Sequence, residues 1–504
     1  MRPDARLLTS VSRVNSERQY FDVIVVGAGI SGIGAAYHLQ TMSPDRTFQI
    51  LEGRASFGGT WDLFRYPGVR SDSDMHTLGY RFKPWKADKS IADGPAILDY
   101  LAETIEENGI ASKIRYNQHV TKAEWSSADN RWTLTVVNKV DESTSKIECN
   151  YLFMCSGYYS YKQGYTPEFP GLEKFAGQVV HPQFWPQDLD YRGKRVVVIG
   201  SGATAMTLVP AMAADCEHIT MLQRSPTYVV SRPSVDPFGK RMRKIFPEKV
   251  AYKITRFKNT TMQQIVYKRT RVKPLEIKEL LLSGVRAELG PTYDVEKHFT
   301  PSYNPWDQRL CLVPDSDLFK AIRSQKAEIV TDTIKGFNQS GIELESGQQL
   351  QADIIVTATG LNLVTLGEME FVVDSQPVDF AKTWTYKGFA FSGIPNLATS
   401  WGYINASWTL RADLTCEYVC RLLNHMRETN TRSCTPTLRL GDKDMPQKSW
   451  IESFSSGYMR RAMHKMPRQG DREPWINPQN YKRDRKMFRK SPVDDGVMLF
   501  AGNS

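Results

Sequence analysis

Two segments of the chain, 23–39 and 196–214, are apolar enough to pass for membrane spans on a first reading. Both are broken by glycine-rich turns and polar residues, which suits a buried strand feeding a helix. Val23, Ile24, Val25 and Val26 make a β-branched run fit for a parallel strand covered on both faces. A helix is predicted to follow over 34–39, and a second strand at 48–51. The same order recurs with a strand at 195–199, a helix-like segment at 206–214 and a strand at 218–222. Two near-repeats, 151–157 and 353–360, read as strands ending in small residues and glycine, each bringing the chain back across a domain boundary. The stretch 407–426 has a helical pattern, with Leu410, Leu414, Tyr418 and Leu422 at spacing four and Asn405 or Ser407 placed to cap it. Strands alternating with helices predict an α/β fold with two Rossmann-like dinucleotide-binding domains.

Chemistry enters at the turns. Gly27, Gly29 and Gly32 form GxGxxG between the first strand and its helix. Gly27 permits the turn, Gly29 lets the backbone approach a pyrophosphate, and Gly32 lets helix pack on strand. The phosphates then meet the helix N-terminus, where free N–H groups favour anions. Glu52 ends the second strand about twenty residues on, where a ribose-binding carboxylate belongs. The middle turn is GxGxxA: Gly200, Gly202 and Ala205, with Thr204 between. No acid follows its second strand; Arg224 stands there instead, and a guanidinium suits a 2′-phosphate. The first site therefore reads as one for FAD and the second as one for NADPH. Two such cofactors in one chain imply electron transfer between them.

Composition narrows the class. Hydrophobic residues are 41% and charged residues 24% of 504, ordinary for a globular protein and unlike collagen, disordered chains or disulfide scaffolds. The seven cysteines form no CxxC pair, which leaves no zinc ribbon or thioredoxin motif and favours a reducing, cytoplasmic compartment. Residues 1–19 mix Arg2, Arg6 and Arg13 with Asp4 and Glu17 and lack an apolar core, so a loose extension is expected there instead of a secretory signal. The net charge of +10 is concentrated in 240–278, where thirteen Lys and Arg face only Glu248 and Glu276. Apolar residues are interleaved with them. This reads as amphipathic helices that either present a solvated basic face or touch an anionic membrane surface. No nucleic-acid-binding module is recognised.

Three motifs make the sequence similar to a known family. The paired dinucleotide turns are the first. The second is Phe175, Gly177, His181 and Trp185 in the pattern FxGxxxHxxxW. The third is Gly59-Thr60-Trp61, then Tyr66-Pro67-Gly68, then Asp72. Together they resemble a class B flavoprotein monooxygenase, specifically a type I Baeyer–Villiger monooxygenase, and within that group the thioamide-prodrug-activating branch. Trp185 leans towards the Baeyer–Villiger side, since relatives that oxidise only nitrogen and sulfur commonly carry Tyr or Phe there. Gln308 departs from the family's usual Lys before the active-site arginine, leaving Arg224 as the main phosphate ligand.

The resemblance implies a reaction in which NADPH reduces FAD, reduced flavin captures O2 as a peroxide, and a ketone becomes an ester or lactone, with sulfoxidation as a side activity. The substrate would be a small hydrophobic ketone or sulfide. Such chemistry needs a fixed positive charge beside the developing anion. Arg309 occupies the family's position for it, and Asp72 matches the carboxylate that pairs with it. His181 is implied to be structural, and Trp61 to shape the flavin site. The helix from 407 is implied to aim its positive end at the flavin ring. The expected division is FAD domain over 20–160 and 385–504, a linker over 161–174, NADP domain over 175–232 and 308–380, and a helical insert over 233–307. The rivals are a nitrogen- or sulfur-only oxygenase and a long-chain alkane oxidiser. A disulfide reductase would need a redox cysteine pair that the chain lacks.

Overall fold

The β-branched runs become the centres of two separate sheets in the computed structural model, which describes residues 19–452 and 456–502. Val23, Ile24 and Val25 are fully buried in the strand Gln19–Val26. That strand lies parallel between Phe48–Leu51 and Thr144–Met154. The sheet continues antiparallel through Arg131–Asn138 and Gln118–Ser126. The second sheet has five strands in the order Ala327–Thr331, His218–Gln223, Arg195–Ile199, Ile354–Thr357 and Gln178–Val180, all parallel. Both apolar segments resolve into strand, turn and helix: Ile30–Met42 after the first and Ala203–Met212 after the second. Among the described residues no helix is long and apolar enough to cross a membrane.

Three expected boundaries move. The loose extension over 1–19 falls outside the described residues, except that Gln19 already opens the first strand. The linker over 161–174 is in part a strand: Tyr159–Gly164 pairs antiparallel with Leu361–Leu363, so the two crossings between the domains run as one ribbon. The second domain ends before residue 380, because Glu370–Val373 pairs parallel with Gln118–Ser126 and rejoins the first sheet. The helix near 407 runs Thr409–Glu428, and neither expected residue caps it. The Ser407 hydroxyl is 2.6 Å from that of Thr77, and Asn405 donates to the Gln479 carbonyl at 3.0 Å. All seven cysteines are free and buried, Cys416 and Cys420 on this helix among them.

The insert is helical, as its composition predicts, and is framed by the parallel pair Tyr228–Arg232 and Leu310–Pro314. Its longest helix, Glu248–Val272, packs on the first domain although its chain belongs to the second. Arg256 holds it there. Its guanidinium donates to the carbonyls of His76 at 2.9 Å and Gly79 at 2.7 Å, and lies 3.8 Å from the buried Asp413 carboxylate. The Tyr252 hydroxyl donates to the Tyr80 carbonyl at 2.9 Å. Burial works against the charge on Arg256, but neighbouring Tyr252 and Asp413 outweigh it and hold its pKa above the ordinary value. Removing one partner of such a buried set leaves the others unpaired, at a cost of about 3–5 kcal/mol. Arg256→Met is therefore expected to lower the thermal unfolding midpoint clearly, measured by calorimetry, whereas Lys253→Met on the exposed side of the same helix leaves it unchanged.

Candidate active site

Gly27 has φ +104° and Gly200 has φ +133°, conformations that L side chains rarely adopt. Each also passes a backbone carbonyl. A Cβ on Gly27 would lie 2.6 Å from the Cys155 oxygen, and one on Gly200 would lie 2.3 Å from the Ala358 oxygen. Cys155 and Ala358 belong to the two near-repeats seen in the sequence, so each near-repeat backs one glycine turn. Gly32 is needed for a different reason: a Cβ there would sit 1.8 Å from the Gly27 oxygen. The helices that follow, starting after Gly29 and Gly202, have no side-chain cap, which leaves their first amides open to an anion.

A cavity of about 580 Å³ runs between the two domains. From the sequence-predicted set it is lined by Gly27, Gly29, Glu52, Gly59, Thr60, Trp61, Asp72, Thr204 and Arg309. Gly200, Gly202, Ala205 and Arg224 lie outside it, around the second turn. Arg224 is exposed at the end of His218–Gln223, and the hydroxyl of Ser201 in the turn is 3.1 Å from the carbonyl of the neighbouring Ser225. Glu52 is buried against the first turn, its carboxylate accepting from the amides of Ala28 at 2.6 Å and Arg54 at 2.9 Å. Burial pushes its pKa up, and those two bonds oppose the rise.

The segment 59–72 bridges the domains. Gly59 opens the short helix Thr60–Leu63, in which buried Asp62 accepts from Ser56 at 2.5 Å, Arg54 at 2.6 Å and Arg65. Further on, Tyr66 stands beside Thr204, Gly68 fits closely over Thr207 and Ala211, and Arg70 donates to Asp317 at 2.5 Å. Asp72 and Arg309 meet in the cavity wall. Asp72 lines the cavity with its carboxylate accessible, and the protein packed around it still raises its pKa by desolvation, with Arg309 and Arg70 pulling the other way. Arg309 donates to the Ile404 carbonyl at 3.2 Å. Burial works against its charge, but Tyr458, Tyr158 and Asp72 more than offset this and hold the guanidinium above its ordinary pKa. Asp72 and Arg309 interact electrostatically, as expected of the pair, with no hydrogen bond between them; the guanidinium's bond is to the Ile404 carbonyl.

Sequence reasoning missed the aromatic side of the cavity. Tyr158 stacks on both Trp401 and Trp408, with ring centroids 5.1 Å from each and 6.3 Å between the two tryptophans. Trp408 donates to the Ser31 hydroxyl at 2.8 Å, which ties the start of the helix Thr409–Glu428 to the first turn. Two adjacent tyrosines after Gly157, at the end of a near-repeat, were the available clue.

The motif residues Phe175, Gly177, His181 and Trp185 line no part of the cavity. Phe175 is buried beneath the second sheet, and Gly177 fits against the Asp353 oxygen and the Phe175 ring. Trp185 packs on the core of the second domain. His181 Nδ1 accepts from the Gln183 amide at 3.1 Å, which places the proton on Nε2, 3.2 Å from the Gly360 carbonyl. Its ring also fills the space over Gly164. His181 therefore spans both strands of the interdomain ribbon.

Two glycine turns with uncapped helices, the first lining the cavity itself and the second reaching it through Ala203 and Thr204, fit a protein that holds two nucleotide cofactors. Residues 90–284 match the family described as Flavin-binding monooxygenase-like, and residues 25–87 match an NAD(P)-binding Rossmann-like domain. The chain is 50% identical to FAD-containing monooxygenase EthA of Mycobacterium tuberculosis, over 96% of this chain and 98% of that protein. It is 48% identical to the putative FAD-containing monooxygenase MymA of the same species, covering 96% and 98%. It is 47% identical to the probable FAD-binding monooxygenase AlmA of Acinetobacter baylyi, covering 96% of each. Among solved structures, a steroid monooxygenase bound to NADP superposes with a TM-score of 0.76 at 22% identity, covering 96% of this chain and 100% of that one. Cyclohexanone monooxygenase from Rhodococcus sp. Phi1 superposes at 0.69 and 20%, covering 83% and 87%. The chain belongs to the family of FAD-containing monooxygenases that includes EthA, MymA and AlmA.

Burial depresses the pKa of His181 despite its bond to the Gly360 carbonyl. A depressed folded-state pKa contributes stability that is present above the ordinary histidine value and is lost as pH falls through the folded one. Protonation would also remove the acceptor for the Gln183 amide. Below about pH 6, amide exchange in 159–185 is therefore expected to accelerate relative to the rest of the chain, read by hydrogen exchange. The His181→Gln variant is expected to lack that pH step; an unchanged step would mean that another group titrates.

Proposed function

We propose that the protein is an NADPH- and O2-dependent monooxygenase that converts ketones to esters or lactones by Baeyer–Villiger oxidation, with sulfoxidation as a side activity. The residues present suit both cofactors. FAD fits the first turn, with its phosphates at the uncapped helix after Gly29 and its ribose at Glu52. Gly59, Thr60 and Trp61 extend that binding wall. NADPH fits the second turn at Gly200, Gly202, Thr204 and Ala205, with exposed Arg224 holding the 2′-phosphate. Bound FAD, reduced by NADPH, supplies the activation of O2.

The single observation that carries the reading is Arg309, a cation set deep in the cavity wall whose charge its surroundings reinforce. A guanidinium there stabilises negative charge that develops on oxygen, without having to reorganise as it does so. Asp72 offsets part of the cost of keeping that charge away from water. The aromatic wall of Tyr158 and Trp408 excludes water and receives an apolar substrate. His181 takes no proton in this scheme, since it lines no part of the cavity.

A second reading, a sulfur or nitrogen oxygenase that leaves ketones untouched, is favoured by a specific observation. Trp185, one of the two features that separated the readings, packs on the second domain's core and lines no part of the cavity. Product analysis distinguishes them. The purified protein is incubated with NADPH, air, a long-chain methyl ketone and an aryl methyl sulfide. Ester from the ketone supports the first reading; sulfoxide without ester across a wider ketone panel supports the second.

Two variants test the assigned roles. Arg309→Ala is expected to keep NADPH oxidation and release hydrogen peroxide in place of ester, lowering ester yield by on the order of a hundredfold or more. Ester at the wild-type rate removes Arg309 from the chemistry. Arg224→Ala is expected to raise KM for NADPH by on the order of tenfold and leave KM for NADH nearly unchanged. Equal effects on both remove Arg224 from the phosphate site.

A further inference from the structure

The helix Glu248–Val272 is amphipathic in the reverse sense. Its buried face is polar, carrying Thr255, Arg256, Asn259 and Thr260. Its outward face carries a row of apolar side chains, interrupted by Thr261 and Lys268. Val250, Ile254, Phe257, Ile265 and Val272 follow one another at helical spacings of four, three, eight and seven, which sets them in one stripe along the helix. Phe257 and Val272 are each 67% exposed, and Leu275 at the start of the next helix is 73% exposed. Single exposed apolar side chains are ordinary, but a row of them along one helix face marks an interaction surface. Cations accompany it: Lys249, Lys253 and Arg269 lie beside the row and Lys268 within it, all are exposed, and among the described residues none of them makes an ion pair.

We infer that this face docks the enzyme on an anionic lipid bilayer, with the stripe seated at the boundary between headgroups and acyl chains and the flanking lysines and arginine against the phosphates. An apolar face lined with Lys and Arg is the pattern that binds such a surface, and the attraction is both hydrophobic and coulombic. Charge decides against a second copy of the chain. A two-fold contact through this face would set the same cations against each other with no acidic residue in the stripe to answer them. The placement also suits the site. Tyr252 and Arg256, on the inner face of this helix, hold the segment 76–80, and the Tyr80 hydroxyl donates to the Ile30 carbonyl at 2.6 Å, beside the first dinucleotide turn. The lipid-facing helix is thus tied to the first turn through two side chains.

The test is co-sedimentation of the FAD-loaded, full-length protein with vesicles of phosphatidylcholine, with and without phosphatidylglycerol. Binding to the anionic vesicles is expected, weakened by raised salt, with little binding to the neutral ones. The combined Phe257→Glu and Ile265→Glu variant is expected to lose binding. A second variant, Lys249→Gln with Lys253→Gln, Lys268→Gln and Arg269→Gln, keeps the apolar stripe and is expected to bind anionic vesicles on the order of a hundredfold more weakly. Flavin absorbance and turnover of a water-soluble substrate confirm that both variants are folded. The inference is overturned if the wild type sediments with neither vesicle, or if both variants bind as it does. It is also overturned if sedimentation velocity shows that the glutamate variant dissolves an oligomer while lipid binding is unchanged, which would assign the face to a second copy. Because the readout is binding, it stands or falls independently of which substrate is oxidised.

Discussion

Two places where backbone passes backbone too closely for any side chain set the geometry of this protein. Gly27 lies against the carbonyl of Cys155, and Gly200 against that of Ala358. Each contact joins the turn after a first strand to the end of the neighbouring parallel strand, and so fixes where a helix begins and which way its unpaired amides face. The cavity between the domains inherits its shape from that. Its ends at the glycine turns are backbone, which is rigid and carries no titratable charge, while the wall between them is built from side chains brought in by other segments.

Those segments divide the work. The stretch 59–72 is held on the first domain by Asp62 and its arginines and on the second by Gly68 and Arg70, so it reports the position of one domain to the other. Arg309 enters from the second domain and bonds to Ile404, in the part of the chain that has returned to the first. The cation at the centre of the proposed chemistry is therefore positioned by both domains at once. Oxygen chemistry of this kind is sensitive to water, and a site walled by both domains keeps water out only when the two are in register.

Much of this was legible in the chain. Strand, turn and helix with GxGxxG, and again with GxGxxA, carry their own physical reasons, and the backbone answered them residue by residue. The near-repeats were visible, although their task of backing the glycine turns depends on strand order, which local pattern does not specify. The expected pairing of Asp72 with Arg309 placed both in the cavity wall but missed the guanidinium's bond to the Ile404 carbonyl, a contact made across almost a hundred residues. Capping by Ser407 or Asn405 failed for a similar reason: Thr77 and Gln479 take those side chains. The domain limit near 380 was too late because a parallel pairing with Gln118–Ser126 has no local signature. The aromatic wall was hidden because Tyr158 and Trp408, with Trp401 stacked on Tyr158 behind them, come from two distant segments and converge only in the fold.

The ribbon of Tyr159–Gly164 and Leu361–Leu363 is where both connections between the domains run side by side. Two hydrogen-bonded strands form a strip that flexes readily across its broad face and resists bending in its own plane. A rotation of one domain against the other must bend that strip, while the packing of Glu248–Val272 on the first domain and of 59–72 on the second resists it. His181, bonded to Gly360 beside one strand and seated over Gly164 on the other, pins the two edges of the strip together.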